Sequence, residues 1–130
     1  METTGGCLCG NIKYKILKMN TKAYHCHCQI CQKASGGIFS TYVNLKSDQV
    51  SWLSNKPTFY KSSEYARRGF CDICGTSICY ESIVSNKIDI CVGSIDDKNE
   101  IQLMGHNRIE SRLKNFSYED DLPKYNCDDK

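Results

Sequence analysis

At 130 residues, with 40% hydrophobic and 25% charged side chains, the chain has the composition of one soluble globular domain with a modest core. Seventeen basic against fifteen acidic residues leave a formal charge of +2, too even a balance for a general attraction to nucleic acid. No apolar run is long enough to cross a bilayer, and Met1-Glu2-Thr3-Thr4-Gly5-Gly6 lacks the basic and apolar regions of a secretory signal, so the expected compartment is the reducing cytoplasm.

Many short segments of period two, separated by polar turns, predict a mainly β fold of antiparallel sheets with short helical turns. Cys7-Leu8-Cys9 is read as extended, with both sulfurs on one side. Ile12 to Ile16 alternates cleanly, and Lys18 to Thr21 forms a turn. Ala23-Tyr24-His25 leads into Cys26-His27-Cys28-Gln29-Ile30-Cys31, and Cys28 to Ala34 forms one or two helical turns stopped by Ser35-Gly36-Gly37. Ile38 to Leu45, rich in aromatic and β-branched residues, is a strand. Gln49 to Leu53 and Thr58 to Ser62 are two more, joined through Ser54-Asn55-Lys56-Pro57. Glu64 to Phe70 approaches the turn Cys71-Asp72-Ile73-Cys74-Gly75. Ser77 to Ser82 and Lys87 to Val92 pair across Val84-Ser85-Asn86, and Ser94 to Glu100 is a polar loop. The single domain spans 1–130, with its core at about 5–116 and a charged, mobile tail from about 117 to 130.

Seven of the ten cysteines lie in the three clusters. In a reducing compartment, clustered thiols bind metal or react more often than they form disulfides. Cys7, Cys9, Cys71 and Cys74 satisfy a closed tetrahedral zinc site, with Gly75 supplying the positive φ that such turns need. Cys26, Cys28 and Cys31 can hold a second zinc from one side and leave its fourth position open. A fourth protein ligand from His25, Cys79 or Cys91 would close that site. His27 sits between two ligands and should point away. Seven thiolates and two zinc ions shift the charge by three, to about −1, which further disfavours nucleic acid. Cys79 and Cys91 are expected as small core residues, Cys127 as an uninvolved thiol, and His106 as structural. Lys33, Arg67 and Arg68 can attract carboxylates, but solvated surface charge is the expectation for each.

These residues carry a family resemblance. Gly5-Gly6-Cys7-Leu8-Cys9-Gly10, Cys26 to Gly36, Arg67 to Thr76 and Val92-Gly93-Ser94-Ile95-Asp96-Asp97 resemble the glutathione-dependent formaldehyde-activating enzymes, a family that includes centromere protein V. The resemblance implies an Mss4-like fold of antiparallel sheets carrying zinc. It implies a structural zinc at Cys7, Cys9, Cys71 and Cys74, and a second zinc at Cys26, Cys28 and Cys31 where chemistry occurs. It implies a carbon–sulfur lyase reaction, the reversible joining of formaldehyde to the glutathione thiol. One stretch departs from the pattern. Where aromatic residues commonly follow a histidine and recur shortly afterwards, this chain reads His106-Asn107-Arg108 and Lys114-Asn115-Phe116.

The expected function is therefore a zinc-dependent lyase acting on a small-molecule thiol such as glutathione, with His25 or His27 able to relay a proton. The alternative is a non-catalytic zinc module that carries glutathione or binds a protein partner. Chromatin binding would call for a basic arm, which the scattered lysines do not provide.

Overall fold

Among the residues described by a computed structural model, 2–117 and 121–126, the alternating segments form ten strands and one α-helix. β1 (Thr3–Gly6), β2 (Lys13–Ile16) and β5 (Val50–Trp52) make a three-stranded sheet in the order β1-β2-β5. The larger sheet takes β3 (Lys22–Cys26), β4 (Ser40–Leu45), β6 (Thr58–Lys61), β7 (Ala66–Phe70), β8 (Ser77–Ser82), β9 (Ile88–Cys91) and β10 (Gln102–Asn107). Its order is β10-β3-β4-β9-β8-β7-β6. Every pairing is antiparallel except that of β10 with β3. Among the described residues no helix is long and apolar enough to cross a membrane.

Cross-strand partners share a face, so the register sorts the large sheet into two surfaces. Ala23, Val43, Ile90 and Cys79 follow one another across four strands on one face. They pack with Tyr14, Ile16 and Val50 of the small sheet in the main hydrophobic core. Each such aliphatic side chain, once buried, contributes about 1.5–3 kcal/mol. On the other face, Tyr24, Tyr42 and Cys91 line up across three strands, and Asn44, Asp89, Tyr80 and Arg68 across four. One face thus holds the core, while the other presents polar and aromatic groups.

The expected strands at Gln49–Leu53 and Thr58–Ser62 form as β5, in the small sheet, and β6, paired with β7 in the large one. Three features differ from the sequence expectation. Cys7 to Cys9 is a turn rather than extended chain, because Cys7 N–H and C=O close a loop with Ile12 O and Gly10 N. β10 adds a parallel strand after the expected loop. Finally, part of the segment expected to be a mobile tail is bonded: His106 N donates to Pro123 O, Tyr125 N to His106 O and Ile109 N to Tyr125 O, at 2.9–3.0 Å. Gly105 makes this possible, since a Cβ there would press on Pro123 O and the Tyr125 ring. Cys127 lies outside the described residues.

The two sheets are stitched near the N-terminus. Ile95 bridges Gly5, Asp96 N donates to Thr4 O at 2.9 Å, and Thr4 Oγ1 donates to Asp96 Oδ2 at 2.7 Å. Below this seam the buried Tyr14 hydroxyl donates to Ser94 Oγ at 2.7 Å, and Ser94 Oγ donates to Cys91 O at 2.8 Å. A Cβ on Gly5 would strike the Tyr14 ring and hydroxyl. Gly5→Ala is therefore expected to cost about 1–3 kcal/mol in urea unfolding, the usual range for an overpacked core. A change below about 0.5 kcal/mol would show that the seam yields freely.

Candidate functional site

The sulfurs of Cys7, Cys9, Cys71 and Cys74 gather within 4.8 Å of one another. Two glycine-ended turns bring them there. Gly10 at φ 84° ends the first turn and Gly75 at φ 82° ends the second, the left-handed conformation expected for Gly75. Ile12 N donates to Cys7 Sγ at 3.2 Å and Cys74 N to Cys71 Sγ at 3.5 Å. Such donors stabilise thiolates. Thr76 ties the turns together: its Oγ1 accepts from Leu8 N at 3.0 Å and lies 3.2 Å from Cys74 Sγ. Hydrogen bonding by Thr76 is the main cause that holds the Cys74 thiol down, to about 5.

The second group is Cys26, Cys28 and Cys31, also within 4.8 Å. Cys26 ends β3. Cys28 is the N-cap of α1 (Gln29–Ser35), where its sulfur accepts from Cys31 N at 3.2 Å, taking the place of the usual Ser or Asp oxygen. The helix stops where Ser35-Gly36-Gly37 was expected to stop it, with Gly36 in the left-handed conformation. The amide of Gln32 fixes the helix by donating to His27 O and Ser111 O at 2.8 and 2.9 Å. Ser35 and Ser40 both donate to Cys31 O. Among the described residues no fourth Cys, His, Asp or Glu joins these three sulfurs.

The donor sets fit zinc. Tetrahedral zinc with bonds of about 2.3 Å places its sulfurs about 3.8 Å apart. Cys7 and Cys9 Sγ are 3.6 Å apart, Cys9 and Cys71 Sγ 3.8 Å, and Cys26 and Cys31 Sγ 3.3 Å.

Around the trio, sequence reasoning missed two residues. Arg68, expected at the solvated surface, is half-buried on the polar face of the large sheet. Its Nη2 donates to Cys31 Sγ at 3.6 Å and its Nη1 to the Tyr42 hydroxyl at 3.2 Å. Tyr42 Oη in turn donates to Cys31 Sγ at 3.7 Å. Hydrogen bonding with Cys26 and Cys28, then with Arg68 and Tyr42, holds the Cys31 thiol far down, at about 2, against the opposing effect of burial. Hydrogen bonding with Cys28 and Cys31 pushes Cys26 the other way. Nothing in the pattern Arg67-Arg68 distinguishes the two, yet they face opposite ways. Arg67 forms a 2.7 Å ion pair with Glu81 and lies over the Phe59 ring.

The trio opens into a cavity of about 440 Å³ walled by Tyr24, Tyr42, Arg68, Tyr80, Asn107 and Arg108. Asn107 and Arg108, which occupy the stretch where the resemblance led one to expect aromatic residues, make this wall polar. Phe116 instead packs on His27 and Phe39. Arg108 holds a left-handed backbone at φ 57°.

The histidines sit elsewhere. His27 and His106 are buried with Nε2 and Nδ1 3.1 Å apart, and His25 Nδ1 lies 2.7 Å from Thr41 Oγ1. Burial, then His106 and His25, lowers His27 to about 4, so it stays neutral at pH 7. None of the three lines the cavity, and a proton relay through His25 or His27 has no geometric support. Cys79 is a core thiol as expected, whereas Cys91 lies on the opposite face beside Tyr42 rather than in the core; burial pushes both up to about 12.

The family model described as glutathione-dependent formaldehyde-activating enzyme matches residues 2–111. A protein of Schizosaccharomyces pombe named as an uncharacterized lyase is 33% identical over 79 residues, which is 61% of this chain and 57% of that protein. The chain thus matches a little over half the length of that relative. A crystal structure of a Rhodobacter sphaeroides protein superposes with a TM-score of 0.57 at 16% identity, covering 94% of this chain and 99% of that one, which shows a shared fold. With the family model spanning nearly all of the described residues, the chain belongs to the glutathione-dependent formaldehyde-activating enzyme family.

Proposed function

We propose that the protein is a zinc-dependent carbon–sulfur lyase that joins a small thiol to an aldehyde, with glutathione and formaldehyde as the pair the family name indicates. The observation that carries this reading is the trio Cys26, Cys28 and Cys31 facing a cavity of about 440 Å³ with no fourth protein ligand among the described residues. In the bond-forming direction a carbon–sulfur bond forms between thiol and aldehyde carbon, and the thiol hydrogen ends on the aldehyde oxygen. Zinc at the trio would supply a Lewis acid that lowers the pKa of a thiol presented to it.

The chain's own groups set the remaining conditions. Cys26, Cys28 and Cys31 would hold the metal from one side, with β3 and the α1 N-terminus fixing their spacing. Tyr42 and Arg68 orient the Cys31 sulfur. The cavity wall admits a molecule of tripeptide size and offers hydroxyl, amide and guanidinium groups to its polar ends. The four-sulfur group, half of it supplied by the β7–β8 turn, would hold a structural zinc with no position left for chemistry.

The thiol and aldehyde also combine without a catalyst, so exchange must be measured rather than yield. Two-dimensional exchange NMR with ¹³C-formaldehyde and glutathione is expected to show interconversion of free and thiol-bound formaldehyde accelerated by about tenfold or more at micromolar protein. Saturable glutathione binding with no acceleration would replace the lyase by a carrier.

A further inference from the structure

We propose that Arg68 is the positioning residue of the three-sulfur site, and that its charge makes the site take an anionic thiolate in preference to a neutral donor. The proposal rests on the reading of Cys26, Cys28 and Cys31 as zinc ligands.

The guanidinium is held from three directions. Its Cζ lies over the Tyr80 ring, 4.8 Å from the ring centroid. Nη1 donates to Tyr42 Oη at 3.2 Å and Nη2 to Cys31 Sγ at 3.6 Å. Tyr42 Oη closes the triangle on the same sulfur at 3.7 Å. The sheet register fixes the stack, since Arg68 and Tyr80 are directly paired across β7 and β8. Cys31 is only 5% exposed, so its sulfur meets these donors in a poorly hydrated setting where charge-assisted hydrogen bonds are strong.

Charge arithmetic gives this contact a consequence. Three thiolates and a dication leave one net negative charge, and Arg68 offsets it. A thiolate arriving as fourth ligand then brings the cluster to one net negative charge rather than two. A neutral donor gains nothing comparable. Without Arg68 the site would still hold its metal through three sulfurs, but the thiolate would enter a cluster that is already anionic. Arg68 touches no reacting atom in this scheme. It acts through Cys31 and through the field at the cavity mouth.

The test uses the full chain loaded with cobalt, whose visible and near-ultraviolet bands report sulfur ligation directly. 2-Mercaptoethanol and imidazole are titrated in parallel as the anionic and neutral probes. Arg68→Met is expected to raise the dissociation constant for 2-mercaptoethanol about tenfold or more, the range for a lost charged hydrogen bond, and to change that for imidazole less than about threefold. Arg68→Lys, which keeps the charge, is expected to recover most of the thiolate affinity. Equal losses for both probes, or no loss, would overturn the role assigned to Arg68. A wild-type chain that binds only one cobalt would instead overturn the reading of the trio. Should Arg68→Met also lose cobalt from the four-sulfur group, Arg68→Gln carries the same comparison with a side chain that can still lie on Tyr80.

Discussion

Cys71→Ser is expected to lose one zinc and most of the chain's resistance to urea. Cys71 is wholly buried, and its sulfur lies 3.8 Å from that of Cys9, which belongs to a turn 62 residues earlier in the sequence. The turn after β1 extends the small sheet, while the Cys71–Cys74 turn joins β7 to β8 in the large one. A zinc held by all four sulfurs would therefore clamp one sheet to the other. Apparent binding free energies of structural zinc run to about 10–16 kcal/mol, comparable to the whole stability of a domain this size. The substitution is predicted to lower unfolding stability by at least about 3 kcal/mol, read from urea titration at pH 7 alongside metal analysis. A loss under about 1 kcal/mol would mean that the core and the Gly5–Ile95 seam carry the fold without the clamp.

Cys28→Ser is expected to do the reverse, sparing the fold and removing the chemistry. Cys28 caps α1 through its sulfur, and serine is among the favoured residues at that position. The helix should therefore keep its first turn, with Gln32 still bonded to His27 O and Ser111 O. The metal site, however, drops from three sulfurs to two. The protein's acceleration of formaldehyde–thiol exchange is predicted to disappear, leaving the uncatalysed rate, with stability within about 1 kcal/mol of wild type. Exchange left unchanged by Cys28→Ser would remove the trio from the mechanism.

The sequence made the cysteine groups legible because ligand spacing is local. Cys71-x-x-Cys74-Gly75 and the capped turn at Cys28 each encode a geometry within five residues, and the structure adopts both. Cys7-x-Cys9 reached the same group by a turn instead of a strand, since a glycine-ended loop converges two sulfurs as well as an extended chain does. What lay beyond reach depended on distant pairings. β10 has no strong β-forming run, and its parallel partner β3 is some eighty residues away, so neither composition nor a hairpin turn announced it. Arg68 became a cavity residue only through its register with Tyr80, Asp89 and Asn44. The histidines looked available because His25 and His27 adjoin the trio, but β3 turns them to the opposite face, against Phe39 and His106.

The proposed chemistry requires the trio to hold a metal of its own. Zinc per chain, measured after reconstitution with excess zinc under reducing conditions and removal of the unbound metal, tests this directly. Two zincs per wild-type chain, falling to one in Cys28→Ser, is the predicted result. A wild-type chain that retains one zinc or none would contradict it.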